Sequence, residues 1–313
     1  MRAYFPRRAF SVLLVLILVL SLFSCTSQKP YAVLHDSSQI GYIPCAVDMI
    51  NVDVSSEQAF IYELETNRFI YLKGEESIVY PASTVKLLTA LFALSQMPAD
   101  ELITVGDEVS MIGKDSSIAY VREGHVLTLE MLIQGMLIAS GNDAAYAIAA
   151  AVGRSMLDDK NASARSAIDA FVNGMNEYAV TIGTCGSNFV SPDGYEINAN
   201  YTTLEDMVLV SKCAYENELI MKYAGMPFAD VVYSSGQTNT WKNTNLMLDS
   251  DSKYYNEKVS GLKTGSLGRG NYNLICTVES NGKNFIIGVF ASKSKDTRFE
   301  DMQTLIASLP VSA

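Results

Sequence analysis

Residues 59–64 and 68–72 are apolar-rich runs on either side of the polar Glu65, Thr66 and Asn67, and this pattern predicts a β-hairpin. After Pro81 the character changes. Residues 82–94 are apolar nearly all round, which predicts a helix at the centre of a domain. Residues 101–127 read as short extended pieces and turns. Helical patterns at 129–137 and 143–152 are separated by Ser140, Gly141 and Asn142. A third, at 163–181, places Ile168, Val172, Met175 and Ala179 at helical spacing. A fourth spans 203–223 and opens on Thr203 with Asp206 three residues on, the spacing of a capping box. The ending switches period: 258–264, 272–279 and 284–291 predict strands, the last two joined through Asn281 and Gly282, a tight-hairpin signature. Residues 298–309 predict a closing helix.

An early hairpin, central helices and late antiparallel strands make an α+β plan, in which both ends of the body share one sheet beside a mostly helical lobe. We find no internal repeat or long linker, so residues 51–313 are expected to be one folding unit of two lobes, preceded by a tether at 25–50.

The first 24 residues stand apart. Arg2, Arg7 and Arg8 precede an apolar stretch at 9–23 that ends at Ser24 and Cys25, the layout of an export signal. The stretch is short for a membrane span. The residues up to Cys25 also resemble a lipoprotein signal, in which Cys25 would carry the lipid and hold the protein at the outer face of a membrane; plain secretion and a retained anchor are the other readings. All three place the body outside the cytoplasm.

The formal net charge is −11, and −14 once 1–24 are removed. An acidic body without a basic patch repels nucleic acid, so nucleic acid is not an expected partner. Cys45, Cys185, Cys213 and Cys276 are widely spaced and form no CxxC pair; Cys213 and Cys276 lie in apolar surroundings that suit free thiols. The two histidines, His35 and His125, rule out a histidine-rich metal site, and no metal is expected.

Ser83 and Lys86, three apart at the start of the apolar helix, can share one face. A serine hydroxyl needs a base, and a lysine becomes one when burial lowers its pKa. By itself the pair reads equally as a helix cap and a solvated lysine. Two other places add to it. Ser140, Gly141 and Asn142 form a polar turn between helices, and Lys263, Thr264 and Gly265 end a strand, where a lysine and a hydroxyl can hold an anion and a glycine permits close approach of a substrate. The order SxxK, SxN, KTG is that of penicillin-binding proteins and serine β-lactamases.

Residues 81–90, 138–145 and 261–265 together resemble the D-alanyl-D-alanine carboxypeptidase family, the low-molecular-weight penicillin-binding proteins. The resemblance implies a penicillin-binding-protein transpeptidase-like fold, and a peptidoglycan stem peptide ending in D-Ala-D-Ala as substrate. It also implies covalent inhibition by β-lactam antibiotics, and no cofactor. It further implies that Ser83 attacks, Lys86 takes its proton, Ser140 relays a proton, Asn142 orients Lys86, and Lys263 and Thr264 receive the terminal carboxylate. The backbone amides of Ser83 and Ser266 would form the oxyanion hole. Gly141, where class A β-lactamases carry aspartate, favours the carboxypeptidase over a β-lactamase. Glu130 and Glu196 are the acidic residues available for a lactamase-like role, and a degenerate wall sensor is a further reading. Two departures border the cleft. Residues 266–271 differ from the usual segment and include Arg269, either a second carboxylate contact or a solvated loop residue, and Asn200 replaces a histidine.

Overall fold

The first hairpin and the last strands meet in one sheet. A computed structural model describes residues 43–46, 48–196, 199–268 and 270–310, all within one compact unit that begins at Gly41. The expected export signal at 1–24, Cys25, the first part of the expected tether and Arg269 lie outside the described residues. Along the chain come β1 (Gln58–Glu63), β2 (Arg68–Lys73) and a 3-10 turn (Ala82–Val85) leading into α1 (Lys86–Gln96). Next are β3 (Leu102–Thr104), β4 (Val126–Thr128), α2 (Leu129–Ile138), α3 (Asn142–Met156), α4 (Ala164–Thr181), α5 (Leu204–Tyr215) and α6 (Glu218–Ala224). The chain closes with β5 (Phe228–Val232), β6 (Thr238–Lys242), β7 (Val259–Gly268), β8 (Asn271–Ser280), β9 (Lys283–Ser292) and α7 (Lys295–Ala307). The sheet runs β2-β1-β9-β8-β7, and every pairing in it is antiparallel.

Both faces of this sheet are covered, so β1 is buried throughout rather than alternating. Phe60, Phe69, Ile275, Ile286 and Phe290 pack with the helices α1 to α6. Their neighbours Ala59, Ile61, Leu274, Ile287 and Val289 face the other way, against Phe299, Met302, Leu305 and Ile306 of α7. Each such large side chain contributes about 1.5–3 kcal/mol on burial. The β8–β9 turn is as predicted: Ser280 pairs with Lys283, and Asn281 (φ 54°) and Gly282 (φ 73°) both take left-handed backbone.

Four features differ from expectation. The helix expected over 203–223 is two, because the Asn217 side chain accepts from Ile220 N (3.1 Å) and caps a new start. The capping box at its head is half made. Thr203 Oγ1 accepts from Asp206 N (3.1 Å), but the Asp206 carboxylate is taken by the amide of Gly186 and the hydroxyl of Ser187. The β5–β6 hairpin has no counterpart in the predicted elements. Ala229, Val231 and Trp241 of it are buried, but Phe228 and Val232 are apolar and exposed, so β5 shows no apolar–polar alternation, and β6 is polar apart from Trp241. Finally, Ala46 N and Ile50 N, in the stretch expected as tether, donate to Phe69 O (2.8 Å) and Ile70 O (2.7 Å) beside β2.

The described cysteines are all free thiols. Cys276 is buried and Cys213 half-buried, as their apolar surroundings predict, while Cys45 and Cys185 are exposed. Among the described residues no helix is long and apolar enough to cross a membrane.

Candidate active site

The helix start that carries Ser83 is held by its surroundings in an unusual backbone. Ala82 has φ 52°, a left-handed conformation rare for a residue with a side chain. Three contacts fix it. Asn273 Nδ2 on β8 donates to Tyr80 O (2.8 Å) and Pro81 O (3.1 Å). Gly194 (φ 75°) lies so close that a Cβ there would meet Ala82 O at 2.1 Å. Gly265 on β7 leaves no space either, since its Cβ would stand 2.7 Å from Pro81 O. The missing side chain at Gly265 makes room for the turn before Ser83, a role the sequence argument did not foresee.

Lys86, the first residue of α1, is buried. Its Nζ donates to Ser83 Oγ (2.7 Å) and to Asn142 Oδ1 (2.6 Å), with the Asp193 carbonyl oxygen at 3.5 Å. Burial pulls its pKa down to about 8, against the opposing negative charges of Asp193 and Asp143. About a tenth is therefore neutral at pH 7, far more than for an ordinary lysine, beside the hydroxyl it would deprotonate.

Ser140 has φ 57° and lines the cleft, and among the described residues it makes no hydrogen bond to Lys86 or Lys263. A Cβ on Gly141 would meet Ala119 Cβ at 2.6 Å, so the turn requires glycine. Asn142 Nδ2 donates to Ser116 Oγ (2.8 Å), and its amide donates to Ser117 O (2.8 Å). Asp143, not among the sequence candidates, accepts from Ala119 N and Val121 N, both at 2.8 Å. Ala119 O in turn accepts from Trp241 Nε1 (2.8 Å) and Asn239 Nδ2 (2.9 Å) of β6. The stretch 116–121, one wall of the cleft, is thus tied to α3 on one side and to the unexpected hairpin on the other.

The opposite wall is β7. Lys263 is buried with its Nζ bonded to Thr264 O (3.2 Å), and its pKa is pushed well down by burial and then by the positive charges of Lys86 and Arg298. Thr264 Oγ1 lies 2.5 Å from Thr244 Oγ1. Ser266 is exposed, and its Oγ accepts from Arg298 Nη1 (3.0 Å). Arg298 Nη1 also donates to Gly265 O (3.1 Å). Sequence reasoning missed Arg298, which belongs to α7 and carries no local motif. Burial lowers its pKa to about 10, which leaves it charged at neutral pH.

Together these side chains open on a cleft of about 940 Å³ lined by Ser83, Ser140, Thr244, Thr264, Ser266 and Arg298 among others, large enough for a short peptide. Glu196 also lines it, while Glu130 is bonded to Lys222 (3.1 Å) and Tyr223 and does not. Asn200, in the place of the family's histidine, is buried and works as a latch: its Oδ1 accepts from Val190 N (2.9 Å) and its Nδ2 donates to Glu196 O (3.0 Å). Arg298 and Lys295 bring positive charge to the cleft lining beside Asp115, Glu196 and Asp296, and the side near Thr264 and Ser266, where Arg298 stands, suits an anionic group of a ligand presenting a carbonyl to Ser83.

A sequence profile described as D-alanyl-D-alanine carboxypeptidase matches residues 46–294. The D-alanyl-D-alanine carboxypeptidase of Streptomyces sp. (strain K15) is 30% identical over 246 residues, covering 75% of this chain and 80% of the relative. DacF of Bacillus subtilis (strain 168), a D-alanyl-D-alanine carboxypeptidase, is 26% identical, with 78% of this chain and 59% of DacF covered, so the matched region spans about three fifths of that longer relative. The crystal structure of the Streptomyces K15 DD-transpeptidase superposes with a TM-score of 0.74 at 26% identity, covering 82% of this chain and 98% of the other. Penicillin-binding protein D2 of Listeria monocytogenes in its ampicillin-bound form shares the fold at 24% identity, with a TM-score of 0.66 over 82% of this chain and 98% of that one.

Proposed function

This chain belongs to the D-alanyl-D-alanine carboxypeptidase family, and from that premise we infer that it is a serine hydrolase removing the terminal D-alanine from peptidoglycan stem peptides through an acyl-enzyme on Ser83. The observation that carries the reading is the 2.7 Å contact between Ser83 Oγ and a buried Lys86 whose pKa is lowered to about 8. Lys86 in its neutral form takes the Ser83 proton as Oγ attacks the carbonyl between the two D-alanines. The backbone amides of Ser83 and Ser266 face the developing oxyanion. As the peptide C–N bond breaks, the departing amine gains a proton through Ser140, and Asn142 holds Lys86 in register. Water then attacks the ester, releasing the shortened peptide and restoring Ser83. The terminal carboxylate lies toward Lys263, Thr264 and Arg298. Arg298 supports that role as a buried cation in the cleft lining.

A β-lactam places a strained amide and a carboxylate in the same relation, so it would acylate Ser83 as well. An intact Ser83–Lys86–Asn142 network argues against a degenerate sensor. Incubation with a labelled penicillin and with a D-Ala-D-Ala peptide tests the reading. We expect a persistent adduct on Ser83, release of D-alanine, and loss of both in Ser83→Ala. Rapid turnover of the adduct would identify a β-lactamase instead, and absence of any adduct would sink both enzymes.

The envelope is where such a substrate resides, and the leader at 1–24 supports export with a lipid on Cys25. Mass spectrometry of the mature N-terminus decides this: a diacylglyceryl mass on Cys25 is expected, and an unmodified terminus would point to secretion or a retained anchor.

A further inference from the structure

We propose that Thr244 is a positioning residue that makes the enzyme select leaving groups bearing a carboxylate, by fixing the hydroxyl of Thr264. The proposal rests on the reading of Thr264 as a carboxylate contact given above. Thr244 lies beyond the end of β6, far in sequence from every motif, yet it lines the cleft beside Thr264. The two Oγ1 atoms are 2.5 Å apart, and either can donate.

Two hydroxyls hold two protons, and their shared bond uses one. The other is left for a ligand. When Thr244 donates to Thr264, the Thr264 proton is directed to an incoming anion, and the two bonds in line strengthen each other. Without Thr244 the Thr264 hydroxyl has no partner to set its direction. The neighbouring cations do not replace this. Arg298 Nη1 bonds Gly265 O and Ser266 Oγ, Lys263 Nζ bonds Thr264 O, and neither bonds the Thr264 hydroxyl. Arg298 supplies charge, whereas the hydroxyl pair supplies direction.

Thr244 is held as a positioning group must be. Its amide donates to Ile138 O (3.2 Å), two residues before Ser140. The buried neighbours Asn243 and Asn245 fix its backbone: Asn243 Nδ2 donates to Met226 O (2.8 Å), Asn243 Oδ1 accepts from Asn245 N (2.9 Å), and Asn245 Nδ2 reaches Gly261 O (3.4 Å) on β7. Thr244 therefore joins the helix that presents Ser140 to the strand that presents Thr264.

Two substrates separate this role from general damage: an acyl-D-Ala-D-Ala peptide, and an acyl-D-alanyl methyl thioester whose leaving group has no carboxylate. For Thr244→Val we expect kcat/KM on the peptide to fall about tenfold, a typical loss when a bond supporting a charged ligand is removed, with turnover of the thioester unchanged. Thr244→Ser should restore the wild-type ratio. Thr244→Ala guards against misfit of valine and should show the same selective loss. Equal losses on both substrates, or no loss on the peptide in either Thr244→Val or Thr244→Ala, would overturn the proposal while leaving the proposed function standing. A wild-type protein inert to both substrates would instead remove the reading on which it rests.

Discussion

Lys86 is surrounded by acceptors for its ammonium protons, and burial alone makes losing one of those protons easy. Because the neutral amine is the base, the fraction competent to activate Ser83 rises with pH through the lysine's own pKa. Penicillin acylation should therefore climb with a midpoint near pH about 8 and level off above it. Asp193 and Asp143 hold that value up, so Asp193→Asn should move the midpoint to lower pH; stopped-flow labelling across pH reads both, and an unmoved midpoint would discard Asp193 as a tuning charge. Lys86→Ala should abolish labelling while the far-ultraviolet circular dichroism stays unchanged. Gly265→Ala places a methyl against backbone at Pro81 O, which cannot swing aside, so we expect about 1–3 kcal/mol of lost stability and slower acylation. At this scale Ser83, Lys86, Ser140, Asn142, Lys263 and Thr264 were legible because their spacings repeat a known chemistry on elements the pattern predicts. Asp143, Thr244, Asn273 and Arg298 were not. Asp143 adjoins the Ser140–Asn142 turn, but its bonds to Ala119 and Val121 are made only in the fold; the other three are single polar residues with no motif around them, whose partners lie on other elements.

Among elements, the hairpin of β5 and β6 explains how a segment invisible in the pattern can shape the cleft. Its strands lack apolar–polar alternation, β5 being apolar on both faces and β6 polar but for Trp241, yet Trp241 and Asn239 both donate to Ala119 O and so fix the wall beside Ser117. Trp241→Phe keeps the ring and removes the donor. We expect about 1 kcal/mol of destabilisation from the lost bond, with acylation slowed more than the melting temperature suggests; a variant that melts lower but labels at the wild-type rate would confine the hairpin to a structural role. Element existence was easier to read than element ends. The 203–223 pattern is continuous in apolar spacing, and only the side-chain cap at Asn217 divides it. The apolar run at 82–94 gave the central helix but not its 3-10 entry or the left-handed Ala82, both imposed by β7, β8 and Gly194 from outside.

For the whole molecule, the closing of the sheet by both chain ends is its main long-range bond, and Asp301 of α7 fastens it from behind. Its carboxylate accepts from Ser55 N (3.0 Å), Ser56 N (2.7 Å) and Ser56 Oγ (2.5 Å), more than two hundred residues away. Asp301→Ala leaves buried donors unpaired, which costs about 1–3 kcal/mol per group, and should lower the melting temperature without changing the pH midpoint of acylation. The sequence by itself determined the α+β plan, the shared sheet and the acidic body, and pointed to the proposed nucleophile with its base, because periodicity and short motifs are local properties of the chain. Only the tertiary structure decided that Arg298 and Thr244 stand with Lys263 and Thr264, that Gly265 serves the nucleophile's turn, and how far Lys86 is shifted. Those depend on which distant surfaces are buried against one another, and burial is a property of the packed molecule that no single stretch of sequence carries.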